Sequence, residues 1–250
     1  MRGWGRKLVG YAGALAGLLL AWAGLSAAIG SPALPGPVVA IATLLQAWAE
    51  IWPEILVSGA RVIVAMAIGT ALAVPLGLWL GRSPRADSVA APLIFLLYPI
   101  PKVVFLPVLL VLLGLGNTPK IALIALIIFF QILVTARDAA KAVPEGSIVS
   151  VRSLGASRLD VYRHVVVPAS LPDIFTALRI GTGTAIAVLF LAESIAGTNG
   201  LGYYIVDAWG QIDYPAMFAG IIAMALLGVV LYEALDALEL WATRWRTAGR

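Results

Sequence analysis

The stretch "LGASRLDVYRHVVVPASLP", from Leu154 to Pro172, places charged residues, the single histidine and two prolines in an otherwise apolar sequence. Of the 250 residues, 61% are hydrophobic and 12% are charged, and the mean hydropathy is +0.98. Soluble domains are about 45–50% apolar and about 25% charged, so a water-soluble fold would lack polar surface here. The composition indicates an all-α integral membrane protein, in which this polar stretch needs its own explanation.

The counts of cysteine and histidine limit the kinds of site that the chain can hold. There is no cysteine and one histidine, so the sequence offers no disulfide framework and no thiolate or His-rich metal site. The formal charge of +4 favours basic residues on the cytoplasmic side of a membrane over nucleic-acid binding. We therefore expect no metal and no nucleic-acid partner.

Six segments approach the roughly 20 apolar residues that a helix needs to cross a bilayer. They are Leu8–Gly30, Ser58–Leu80, Val89–Leu113, Ile121–Ala136, Phe175–Ala196 and Met217–Leu238. None alternates as the strands of a barrel would, so helices are predicted. The first is longer than the roughly 7–15 apolar residues of a signal peptide, which favours a retained helix; cleavage near "SAAIGS" is the alternative.

The basic residues predict the orientation of the chain. With the N-terminus inside, the outer segments hold one cation, Lys120. The inner segments hold Arg2, Arg6, Lys7, Arg82, Arg85, Arg137, Lys141, Arg152, Arg158, Arg163, Arg244, Arg246 and Arg250. This positive-inside pattern predicts cytoplasmic termini. We also expect two regions: an N-terminal membrane helix with its outer connection over 1–54, and a core over 55–250 with a cytoplasmic loop over 137–174.

Local signals predict two short helices in that loop. Pro144 followed by Glu145 suits the start of one helix, and Gly155 suits its end. Ser157 and Asp160 have the spacing of a capping box, which starts the second helix.

Prolines predict the end of the loop. Pro168 is expected to end the second short helix. Ser170 and Asp173 form another possible capping box, with Pro172 in the first turn of the fifth membrane helix. The outer segment "GTNGLGYYIVDAW" (197–209) is predicted to be a glycine-rich loop.

The loop resembles the EAA loop of permease subunits in ABC importers. The family pattern is Glu-Ala-Ala, three residues, Gly, nine residues, then Ile-x-Leu-Pro. Gly155 matches the glycine, and Val165, Val167 and Pro168 fall at the last positions. The Glu-Ala-Ala triplet falls on Val149–Val151, which departs from the pattern; Glu145 lies four residues earlier.

Four stretches extend the resemblance to the branch that handles nitrate, sulfonates, taurine, bicarbonate and some vitamin precursors. They are "YPIPKVVFLPVLLVLLGLGNTPK" (98–120), "RSLGASR" (152–158), "LRIGTGTA" (178–185) and "AGTNGLGYYI" (196–205). The resemblance implies a five-helix type I importer core preceded by one further helix. It also implies a bacterial inner-membrane location and a small, possibly anionic, nutrient as the substrate.

The resemblance further implies the partners. Two permease subunits, identical or closely related, would form the pathway, and an extracytoplasmic binding protein would deliver the substrate. A cytoplasmic ATPase dimer would bind ATP and magnesium and receive the EAA loop as a coupling helix. The sequence has no G-x-x-x-x-G-K-[ST] pattern, so this chain is expected to bind no cofactor and to leave ATP hydrolysis to a partner.

Residues of the loop are the candidates for contact with the ATPase. They are Arg152, Leu154, Gly155, Ala156, Ser157, Arg158, Leu159, Asp160, Tyr162, Arg163 and Pro168. The plainer alternative for the arginines is charge at the membrane surface. His164 is interpreted as a local hydrogen-bonding residue.

Polar residues at membrane depth are candidates for the translocation pathway, because such residues usually face a cavity or a partner. They are Pro99, Pro101, Lys102, Gln131 and Glu193. The two prolines interrupt the third helix, and Lys102 after them could attract an anion. An ion pair between Lys102 and Glu193 is the alternative. Arg61 and Arg179 are expected to extend to the membrane surface.

Two other classes of function remain to be weighed. A stand-alone secondary transporter or channel would need an ion-coupling constellation within the membrane, for which one lysine and one glutamate are few. A membrane enzyme would need a catalytic constellation, and the single histidine lies in the loop.

Overall fold

The structure, a computed structural model, describes residues 2–244, except for the side chains of 2–9 and Tyr11. Arg246 and Arg250, and the side chains of Arg2, Arg6 and Lys7, lie outside the described residues. Eleven α-helices make up the described chain. They are α1 (Arg2–Ile29), α2 (Pro37–Gln46), α3 (Trp48–Arg82), α4 (Pro84–Leu97), α5 (Leu106–Leu113), α6 (Asn117–Ala142), α7 (Glu145–Ser153), α8 (Arg158–Val161), α9 (Val167–Ala196), α10 (Leu201–Gly210) and α11 (Tyr214–Ala242).

The predicted all-α membrane fold is confirmed. Five helices of the described chain are long and apolar enough to cross a membrane, and a bent pair makes up to six. The pair is α4 with the 3₁₀ turn Lys102–Phe105 and α5, and the chain bends by 81° between them. Pro99 and Pro101 remove two backbone donors there, which explains the break in the third predicted span.

Helices α3, α6 and α9 form the centre of the fold. Their apolar faces meet in one buried cluster that includes Val62, Ile128 and Leu189. Small residues permit the close approach of α3 and α6: a Cβ on Gly77 would lie 2.7 Å from the carbonyl oxygen of Leu133. Close backbone contact of this kind is how membrane helices associate where the lipid offers no hydrophobic gain.

Helix α1 packs at the edge of this core. The Trp22 indole Nε1 donates to the carbonyl oxygen of Pro35 at 3.0 Å, and its ring stacks on Phe218 of α11 with centroids 5.5 Å apart. The proposed regions 1–54 and 55–250 stay a prediction, and their boundary falls within the continuous helix α3.

The segment over 137–174 is more helical than predicted. Pro168 does not end a short helix, and Ser170 and Asp173 do not start one. A π-helical turn over Tyr162–Val166 leads from α8 directly into α9. Pro168 lies in the first turn of α9, where a missing N–H is tolerated, and Pro172 lies inside that helix.

The outer segment over 197–209 also differs from the predicted loop. Helix α10 occupies Leu201–Gly210 and buries Leu201, Ile205 and Ala208. Apolar residues at this spacing form one face of a helix, so the periodicity that identifies α10 was present in the sequence.

Candidate functional site

The loop over 137–174 presents a rigid, exposed corner between α7 and α8. Helix α7 ends at Ser153, and Gly155 turns the chain with φ +85. Ser157 then caps α8: its Oγ accepts from the Asp160 N–H at 3.2 Å, while the Asp160 carboxylate accepts from the Ser157 N–H at 3.0 Å. The predicted capping box is therefore confirmed, and the corner is fixed by its own hydrogen bonds.

The corner exposes large apolar side chains. Leu154 is 88% exposed and Leu159 is 75% exposed. Arg152, Arg158 and Arg163 are also exposed around them, as are Gly155 and Ser157. Ala156, Asp160, Tyr162 and Pro168 are partly buried. His164 Nδ1 lies 3.0 Å from the carbonyl oxygen of Asp160, which agrees with a local hydrogen-bonding role.

Ion pairs join neighbouring helices on this side of the molecule. Arg82 at the end of α3 pairs with Glu145 of α7 at 2.6 Å. Arg137 of α6 binds both carboxylate oxygens of Asp87 on α4. Arg179, which was expected to extend to the membrane surface, pairs with Asp236 and Glu239 of α11, each at 2.7 Å.

Lys102 closes the break between α4 and α5. Its Nζ donates to the carbonyl oxygens of Leu97 and Tyr98 at 3.0 and 2.6 Å. It also lies 4.7 Å from the centre of the Phe130 ring, within the range of a cation–π contact. The ammonium thus gives the Leu97 carbonyl oxygen a donor in place of the N–H that Pro101 lacks. Both prolines are exposed.

Gln131 follows Phe130, whose ring contacts Lys102, but it faces α9. A Cβ on Gly181 would be 3.5 Å from the Gln131 side-chain oxygen. The structure therefore brings Pro99, Pro101 and Lys102 together, and places partly buried Gln131 between α6 and α9.

Glu193 belongs to another site, so the alternative pair with Lys102 is wrong. Its side chain is 0% exposed and accepts from Arg61 Nη1 at 2.5 Å. The Ser58 hydroxyl and the Gly202 N–H also donate to its oxygens, each at 2.8 Å for the shortest contact. Buried carboxylates require such partners, because an uncompensated charge inside a protein is costly.

Arg61 does not extend to the membrane surface as predicted; it is 2% exposed. All five of its N–H donors are used. Nε and Nη2 donate to Asn117 Oδ1 at 2.8 and 2.6 Å, and Nη1 donates to Glu193 and to the Asn199 carbonyl oxygen. Nη2 also donates to Asn199 Oδ1. We call Ser58, Arg61, Asn117, Glu193 and Asn199 the outer cluster.

The glycines after α9 let the chain wrap around this cluster. Gly200 has φ +103, a conformation that favours glycine. A Cβ on Gly200 would meet the Glu193 carboxylate and the Arg61 guanidinium, and one on Gly202 would lie 2.7 Å from Glu193 Cβ. The stretch "GTNGLG" is therefore a turn shaped to cover a buried ion pair.

Helix α10 continues from this turn, next to acidic residues. Burial raises the pKa of the Tyr204 hydroxyl, and the carboxylates of Glu50 and Asp213 raise it further. Glu50 in the first turn of α3 and Asp213 at the start of α11 thus lie close to α10.

Sequence reasoning missed the outer cluster for a specific reason. Arg61 and Glu193 were both visible as ionisable residues inside apolar segments, which is the usual signal of a partnered site. Arg61 and Glu193 lie 132 positions apart in the chain, and from the sequence only Lys102 was considered as a partner of Glu193.

Comparison with protein families gives the same assignment as the geometry. Residues 73–244 match the model of the binding-protein-dependent transport system inner membrane component. The chain belongs to this family. The match includes α4 to α11 and thus the cytoplasmic corner, Lys102 and Glu193. Membership decides against a stand-alone secondary transporter or channel and against a membrane enzyme.

Named relatives point to one branch of the family. The chain is 35% identical to the taurine transport system permease protein TauC of Escherichia coli over 79% of this chain and 72% of that protein. It is 28% identical to the putative aliphatic sulfonates transport permease protein SsuC of the same organism, over 86% and 82%. The formylaminopyrimidine transport permease protein ThiX of Halalkalibacterium halodurans is 26% identical over 92% of each.

Solved structures share the fold. Inward-facing conformations of the MetNI methionine ABC transporter match with a TM-score of 0.65 at 20% identity, covering 79% of this chain and 98% of that chain. An amino acid ABC transporter matches with a TM-score of 0.53 at 19% identity, covering 80% and 97%. The predicted type I importer core is therefore confirmed, and the chain is a permease of an ABC import system in the inner membrane.

Proposed function

We propose that two copies of this chain, with two separate ATPase subunits, move a small sulfonate or similar anion into the cell. The exposed Leu154 and Leu159 at the capped corner carry the proposal. A water-exposed pair of leucines on a rigid turn is unfavourable unless a partner covers it. The surrounding exposed arginines add polar contacts at the rim of that surface.

The corner would transmit motion from the ATPase to the membrane helices. Arg82 and Glu145 join α7 to the end of α3, and the π-helical turn joins α8 to α9 without a break. A push on Leu154 and Leu159 would therefore reach both membrane helices. Packed helices respond to such a push by switching between discrete arrangements.

ATP and magnesium would bind to the partner subunit, which would carry out the hydrolysis. The corner would then lie in the cytoplasm, as would both termini, and an extracytoplasmic binding protein would load the pathway from the other side. The EAA glutamate is replaced by Val149, which is 53% exposed, so this contact would be apolar.

The substrate assignment rests on relatives whose names give taurine and aliphatic sulfonates. Pro99, Pro101, Lys102 and Gln131 would line part of the pathway. The Lys102 ammonium uses two of its three N–H donors on carbonyl oxygens, which leaves one for a passing anion. Glu193 would support the wall of the pathway through Arg61 and would not contact the substrate.

Replacing both corner leucines tests the coupling. We expect Leu154→Ser with Leu159→Ser to leave the chain inserted but to reduce the amount of co-purifying ATPase by about tenfold or more, since each buried leucine contributes about 1.5–3 kcal/mol to a contact. Leu240→Ser is the matched control, because Leu240 is 62% exposed on α11, outside the corner. Unchanged recovery of the ATPase with the double variant would show that the corner is not the contact.

Uptake into proteoliposomes tests the substrate. The complex with its binding protein should accumulate labelled taurine or methanesulfonate only when ATP is supplied on the side of the ATPase. Uptake that proceeds without ATP, or that ignores both compounds while accepting an uncharged nutrient, would contradict the proposal.

A further inference from the structure

Lys120 is a buried cation that the proposed function does not use. It lies in the first turn of α6 and is 1% exposed. Among the described residues, no carboxylate or other acceptor forms an ion pair or hydrogen bond with its ammonium. A buried charge without a partner is unfavourable by several kcal/mol, so this ammonium has a capacity to bind that the chain itself leaves open.

The charged groups around Lys120 do not satisfy it. Arg61 and Glu193 are the charged residues that act on it, one repelling and the other attracting the ammonium. Glu193 already accepts from Arg61, Ser58 and Gly202. The three groups are each at most 2% exposed, and two cations stand against one carboxylate.

Arg61 cannot supply the missing partner, because a guanidinium, like an ammonium, has donors and no acceptor. Glu54 is the next carboxylate, but it accepts from the Gly200 N–H and is only partly buried. Lys120 therefore adds to the outer cluster one positive charge that its buried carboxylate does not balance.

We infer that the Lys120 ammonium, beside the outer cluster, is the binding site for one small anion. An ammonium offers three donors and no acceptor, so it suits a group with several charged oxygens, such as a sulfonate, or a simple halide. Binding would neutralise the excess charge and provide the acceptors that the chain lacks.

The anion has two possible sources with the same chemistry. It is either the transported sulfonate near the outer end of its path, which rests on the proposed function, or a resident inorganic anion such as chloride. The structural roles in the site differ: Lys120 would contact the anion, while Arg61 and Glu193 position the turn around it.

Thermal unfolding of the purified full complex tests the site without relying on transport. Sodium methanesulfonate and sodium chloride are titrated separately, with dimethyl sulfone as the uncharged analogue and gluconate to hold ionic strength constant. We expect at least one of the two small anions to raise the unfolding temperature of the native complex, and dimethyl sulfone to have no effect.

Substitution of the lysine then assigns the effect. Lys120→Met should weaken the affinity for the anion by about tenfold or more. This is the loss expected for one charge-assisted hydrogen bond of about 1.5–3 kcal/mol. Lys120→Arg should retain part of the affinity for the anion, because it keeps the positive charge. Lys141→Met is the matched control, because Lys141 is 62% exposed and lies on the cytoplasmic side of α6.

The outcomes separate the sources. A response to methanesulfonate alone that is lost in Lys120→Met supports a substrate site, and a response to chloride that is lost in the same way supports a resident anion. The inference is overturned if the native complex responds to neither anion, as expected for a lysine held neutral, or if Lys120→Met responds like the native complex. Should Lys120→Met fail to fold, bromide can be located in crystals of the native complex, and no bromide at Lys120 would overturn the inference.

Discussion

The two ends of the molecule differ in whether their site residues are buried and paired or exposed. At the outer end, Arg61 and Glu193 are buried and bound entirely within the chain. At the opposite end, in the corner between α7 and α8, Leu154 and Leu159 are 88% and 75% exposed. Each end depends on a glycine with positive φ: Gly200 at +103 and Gly155 at +85.

This contrast shows how to distinguish a structural site from a contact site. Polar groups whose donors and acceptors are all paired inside the chain stabilise its shape, and they have nothing left to offer a ligand. Apolar groups left in water on a rigid turn have a favourable contact still to make. Lys120 is the exception at the outer end, because it is buried but not paired.

Breaking the outer ion pair should have the largest effect. Glu193→Gln leaves the Arg61 guanidinium buried without a counter-charge, and loss of one partner from a buried pair costs about 3–5 kcal/mol. Thermal unfolding of the purified chain should show a large loss of stability.

The double variant Arg61→Met with Glu193→Gln provides the internal control. Removing both charges together should cost less than the sum of the single variants, because no lone charge remains. Additive losses would mean that the two residues do not act as a pair.

Adding one methyl group to each glycine should give an intermediate and unequal effect. Gly155→Ala places its Cβ in open space, so it should lose only the roughly 1–2 kcal/mol of left-handed strain. Gly200→Ala suffers the same strain and also forces its Cβ against Glu193 and Arg61. Unfolding temperatures should therefore fall more for Gly200→Ala, and equal losses would contradict the tight fit of the outer turn.

The surface ion pair at the cytoplasmic end should have the smallest effect on stability. Arg82→Gln removes a pair whose Glu145 side chain is 66% exposed, and such pairs contribute about 0–1 kcal/mol. Unfolding should be nearly unchanged. If Arg82 and Glu145 transmit motion, ATPase activity stimulated by the binding protein should nevertheless fall; Lys141→Met is a control on the same face.

Several features could be predicted from local sequence alone. The apolar segments predicted the membrane spans. Pro99 and Pro101 predicted the break in the third span, and Ser157 with Asp160 predicted the capping box of α8. Each follows from residues within a few positions of one another, where helix geometry determines which groups can meet. A helix end was expected at Pro168. The continuous path from α8 through the π-helical turn into α9, whose first turn contains Pro168, was not predicted.

The sequence by itself determined that this protein is a helical membrane protein, since no other arrangement satisfies the backbone of such apolar segments in lipid. It also determined the rigid corner between α7 and α8, through Gly155 and the Ser157 cap. Only the tertiary structure decided which charge pairs with Glu193, because α3, α6 and α9 bring together residues that lie 132 positions apart in the chain. Partners at that separation are chosen by helix packing, and no local pattern records the choice.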